Sequence, residues 1–141
     1  MANETNLKET ITKAKEEKER KMYELKVAPM KADIINFIEK LKKYCLSNTT
    51  LEVRIIYRIK YESLIGFFGR PLREEQVIVP GWFHTEIEEE WIKLLTKWYF
   101  TQNGDYLIFA VQEIAEKNGF SSEYDDDGWG FRKEMICFTV K

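Results

Sequence analysis

The sequence predicts an α+β fold: a single domain with two N-terminal helices and a mostly antiparallel sheet of about four strands. Two central and C-terminal helices and a C-terminal β-hairpin complete it. Three observations lead there. Residues 51–61 alternate apolar and polar side chains with period two. Residues 31–46 and 86–100 place their apolar side chains at helical spacing. The patterns occur in the order ααβ–βααββ, which lacks the strict strand–helix alternation of a parallel sheet.

At 141 residues, 44% of them hydrophobic and 14% aromatic, the chain can bury a core of its own. The division expected is a charged N-terminal helix or arm over 1–28 and a single α+β domain over 29–141. Two cysteines, Cys45 and Cys137, form no CxxC pair and fit free thiols in a reducing compartment. No apolar run approaches the roughly 18 residues of a membrane span. Met1-Ala2-Asn3-Glu4 has neither the basic nor the apolar stretch of a signal peptide. A cytoplasmic protein with no membrane partner is expected.

Residues 4–26 form the first predicted helix. Leu7, Ile11 and Ala14 begin an apolar stripe that Met22 and Leu25 resume, but Lys18 and Lys21 stand where a coiled coil wants apolar residues. A solvated helix held by i,i+4 ion pairs is expected. It is also the element through which a dimer could form.

Val27-Ala28-Pro29 ends that helix, because the residue before proline avoids the helical region. In helix 31–46, Ile34, Ile38, Leu41 and Cys45 share one face while Lys40, Lys42 and Lys43 face water. Strand 51–61 turns Leu51, Val53, Ile55, Tyr57, Ile59 and Tyr61 inward, and Glu52, Arg54, Ile56, Arg58 and Lys60 outward. An apolar loop, 64–71, leads to a second strand at about 75–80.

Thr85-Glu86-Ile87-Glu88 is a capping box that opens helix 86–100, with Ile87, Trp91, Leu94, Leu95 and Trp98 inward. Its early acids suit the positive end of the helix dipole. Asp105 is expected to cap helix 106–118, and Gly119 to supply the left-handed residue after it. The hairpin pairs 120–124 with 131–140 across a turn that begins Asp125-Asp126-Asp127.

Charge is divided unevenly. Residues 1–84 hold 16 Lys/Arg against 12 Asp/Glu, whereas residues 85–128 hold 3 against 11. Such asymmetry concerns partners rather than fold.

No catalytic signature stands out. His84 is the only histidine, so a histidine-based dyad would have to join it to Cys45 or Cys137. No second ligand pair completes a zinc site, and the aspartate run lacks the downstream bidentate glutamate of a calcium loop. No P-loop is present. No enzyme activity, cofactor or metal is therefore expected.

A helix–turn–helix with a wing, formed by 86–100, 105–118 and the hairpin, would present mostly acids to phosphates, so direct nucleic-acid binding is disfavoured. A nucleic-acid-binding regulator using the basic N-terminal half is the alternative, and an enzyme with an unrecognised Cys/His site a further one. The leading expectation is a non-enzymatic interaction module. Glu89, Glu90, Asp125, Asp126, Asp127 and Trp129 would contact a basic, nucleic-acid-binding protein. By analogy with antirestriction and anti-CRISPR proteins of phages, it would act as an inhibitor covering that surface.

Overall fold

A computed structural model describes residues 3–65, 69, 71–81, 85–127 and 133–141. Its elements run α1 (Asn3–Val27), a 3₁₀ turn (Ala28–Met30), α2 (Lys31–Asn48), β1 (Glu52–Ile65), β2 (Pro71–Pro80), α3 (Glu86–Trp98), a second 3₁₀ turn (Gly104–Tyr106), α4 (Leu107–Lys117), β3 (Phe120–Asp127) and β4 (Lys133–Val140). The predicted α+β domain, with its four-stranded antiparallel sheet and C-terminal hairpin, is what the chain adopts.

The sheet order is β2-β1-β4-β3, every neighbouring pair antiparallel. Period two then assigns the faces. Val53, Ile55, Tyr57 and Ile59 of β1 are buried, as are Ile136 and Phe138 of β4, which stand opposite Ile55 and Val53. Against this face lie α2, α3 and α4. Phe37 of α2 and Trp91 of α3 meet the Phe138 ring at 5.8 and 6.2 Å, and Phe120 reaches it from β3. Ile34, Ile38, Leu41, Ile87, Leu95, Leu107 and Val111 fill the space between the layers.

Helix α1 is different. Residues 6–22 are exposed throughout, among them Leu7, Ile11 and Met22. Its C-terminal end is docked: the Tyr23 hydroxyl donates to Glu113 at 2.6 Å, its ring packs on Tyr106 and Phe109, and Val27 is buried. At about 100° per residue, Tyr23 and Val27 lie opposite Leu7, Ile11 and Leu25, so the apolar stripe faces away from the domain. Pairs Glu17–Lys21 and Arg20–Glu24 brace the exposed turns. The break falls at the expected place, Pro29 standing in the first 3₁₀ turn.

Several boundaries move. Leu51, expected inside the first strand, precedes it and is exposed. β1 runs on to Ile65 and β2 starts at Pro71, so both ends of the expected apolar loop pair as a hairpin. Residues 66–68 and 70 of that loop lie outside the described residues. α3 stops at Trp98 rather than residue 100. Asp105 caps nothing: it sits inside the 3₁₀ turn that precedes α4, whose first turn has no side-chain cap. Gly119 takes φ +89, as the predicted left-handed end of α4 requires.

The hairpin changes most. Asp125, Asp126 and Asp127 were expected in the turn, but they extend β3, opposite Met135, Glu134 and Lys133. Nor is the hairpin a projecting wing. β4 pairs with β1 from Glu52–Thr139 to Arg58–Lys133, which puts it inside the sheet.

Candidate functional site

The acids of residues 85–128 have unlike fates once folded. Thr85 accepts from the Glu88 backbone N–H at 3.2 Å, the expected cap. Glu88, expected on a solvated helix start, is buried beside Tyr44, Thr50, Val53 and Arg54. Glu90, expected to meet a partner, accepts from Lys40 at 2.7 Å and lies 3.5 Å from Lys93. Those bonds hold its carboxyl below the usual range. It is therefore satisfied within the fold. Glu113 is held by Tyr23 and Lys117, and Glu116 by Lys141.

What remains exposed without an ion pair among the described residues is Glu86 and Glu89 at the start of α3, Asp105 in the second 3₁₀ turn, and Glu123, Asp125 and Asp126 on β3. β3 is an edge strand of the sheet. Glu123 and Asp125 share the helix-free face, across β4 from Arg54 and Ile56. Asp126 is turned to the helix side, directly opposite Glu134. The backbone of Asp127 continues the strand, while Trp129 and His84 lie outside the described residues. Glu89 stands in the first turn of α3, which lies beside the first residues of β1 rather than on β3. The expected contact set is thus not one cluster; its described core is β3.

A second group of residues was not anticipated. Glu134 is only 4% exposed and occupies an inward position of β4, level with Tyr57. The Tyr57 hydroxyl donates to its Oε2 at 2.6 Å. Tyr124 of β3 engages the same carboxyl, and burial with these contacts pushes both phenols far above their ordinary value. Two signals were present in the sequence: an acid in step with Ile136 and Phe138, and a tyrosine on the apolar face of β1.

Tyr124 also lines an open cavity of about 560 Å³, with Gln76, Tyr99, Phe100, Thr101, Gly104, Asp105 and Ile108. The segment that walls it is tightly wound. Tyr99 N–H donates to Leu95, Thr101 N–H to Trp98 and Gly104 N–H to Thr101. Gly104 is required there, because a Cβ would overlap the Tyr99 carbonyl oxygen.

Both cysteines are free and buried. Burial pushes both thiols up, and Cys137 donates to Glu52 at 3.2 Å, which raises it further. Among the described residues no group of three or more His, Cys, Asp or Glu could hold a metal ion, and no helix is long and apolar enough to cross a membrane. No family model, curated protein or solved structure matches this chain.

Proposed function

We propose that the protein is a non-enzymatic interaction module whose acidic edge strand, β3, docks on a basic surface of another protein. In its most concrete form it is an inhibitor that occupies a surface its partner would otherwise offer to nucleic acid. One observation carries this reading: β3 gathers Glu123, Asp125 and Asp126, exposed on a sheet edge with no ion pair among the described residues, whereas Glu90, Glu113 and Glu116 are each paired with a lysine of this chain. Unpaired charges of one sign raise the rate at which an oppositely charged surface is met. An edge strand adds unpaired backbone groups to the same place.

The test compares wild-type protein with a Glu123→Lys/Asp125→Lys variant as baits in lysate of the source cells, with and without nuclease, after confirming that both melt alike. A basic protein held in stoichiometric amount by the wild type, released by high salt and absent from the variant, is the expected result. Equal retention by both baits removes β3 from the account. Recovery of nuclease-sensitive nucleic acid instead transfers the function to the basic half.

A further inference from the structure

The cavity beside Tyr124 has a composition that selects for charge as well as shape. Among the described residues its lining holds three aromatic rings, Tyr99, Phe100 and Tyr124, one carboxyl, Asp105, and no lysine or arginine. Tyr99 and Phe100 stand edge to face, their centroids 5.1 Å apart at 87°, so two differently oriented π faces border one space. Directly behind Tyr124 is the buried Glu134 carboxyl, and Asp126 stands opposite Glu134 on the same side of the sheet.

Two acids facing each other across a ladder repel, which is destabilising in a sheet. Neither they nor Asp105 makes an ion pair among the described residues. Aromatic faces attract cations through their quadrupoles, most strongly where water is partly excluded. Negative potential, ring faces and space therefore coincide at one end of β3.

We propose that this cavity receives one organic cation, the head of a lysine or arginine side chain presented by the basic partner, between the Tyr99, Phe100 and Tyr124 rings and with Asp105 at its rim. This rests on the reading of β3 as a docking edge and names the anchor of that docking. The strand serves both roles because alternation turns Glu123 and Asp125 to one face and Tyr124 and Asp126 to the other.

The experiment is an NMR titration of the full chain with Nα-acetyl-lysine amide, Nα-acetyl-arginine amide and neutral Nα-acetyl-norleucine amide. Saturable shifts at Tyr99, Phe100 and Tyr124 are expected with a cationic amide and not with norleucine. Asp105→Asn and Tyr99→Leu should each weaken that binding by about fivefold. The absence of saturable shifts at these residues, or equal shifts from norleucine, overturns the proposal without any variant being needed. Glu123→Lys/Asp125→Lys, altered on the other face, should still bind the amide. If this variant binds the amide and also retains the captured partner, the docking edge fails and the cation site stands. If the wild type holds the partner equally well with Asp105→Asn and Tyr99→Leu, the anchor fails and the edge stands.

Discussion

Tyr57→Phe tests the buried polar cluster with the loss of one oxygen atom. Tyr57 is fully buried, and its hydroxyl is the 2.6 Å donor to Glu134 Oε2. Phenylalanine keeps the ring and its 6.0 Å contact with Trp91, so packing changes little. What changes is satisfaction: a carboxyl only 4% exposed loses one of two tyrosine donors. Leaving a buried polar group short of a partner costs about 1–3 kcal/mol. For a domain of this size each kcal/mol lowers the melting temperature by about 3 °C, so a fall of about 3–9 °C is expected. Urea and thermal denaturation of the two proteins measure it. A double variant, Tyr57→Phe/Glu134→Leu, removes the acid as well and should be more stable than the sum of the single losses predicts, because contacting groups couple. A Tyr57→Phe protein within about 0.5 kcal/mol of wild type, with strictly additive singles, would refute the reasoning.

Three further outcomes follow from the same geometry. Tyr23, Tyr57 and Tyr124 all have phenols raised in the folded state. Their stabilisation is complete below about pH 10 and is lost above it, by about 1.4 kcal/mol per pH unit for each phenol that stays protonated only when folded. Tyrosinate absorbance that rises together with unfolding is the expected signature; ordinary titration of all tyrosines in folded protein contradicts it. Lys40→Ala should cost no more than about 1 kcal/mol at neutral pH, since half of the pair is exposed. Because Glu90 is held low, its contribution is present above the ordinary carboxyl value and lost as pH falls through the folded one; without Lys40 its NMR titration should move upward. Deleting residues 1–20, which the described structure leaves exposed from residue 6 onward, should move the melting temperature by no more than about 2 °C, roughly 0.6 kcal/mol. A larger loss would mean that the exposed turns of α1 pack on something in solution.

Much of the architecture was legible because it rests on local periodicity. The alternation from Val53 to Ile59 identified the buried face of β1, and the spacing of Ile34, Ile38, Leu41 and Cys45 identified that of α2. Thr85 and Gly119 marked helix ends through chemistry confined to a few residues. The acids misled for two physical reasons. A run of three aspartates has turn chemistry and poor strand propensity, yet pairing with Met135, Glu134 and Lys133 draws it into β3. Ion pairs such as Lys40–Glu90 join residues fifty positions apart, so composition counts Glu90 as available charge when the fold has already neutralised it. Glu134 was overlooked for the converse reason: its even-numbered step with Ile136 and Phe138 was visible, but its tyrosine partners come from two other strands.

The central claim, that β3 is where a basic surface docks, is tested most directly by mapping the binding of a lysine/arginine-rich peptide on the full chain by NMR. The largest shifts are expected over residues 121–127 and 99–105, and they should collapse in about 1 M salt, where the Debye length is only about 3 Å. Shifts centred on α1 or on the outward residues of β1, or shifts indifferent to salt, would contradict the account.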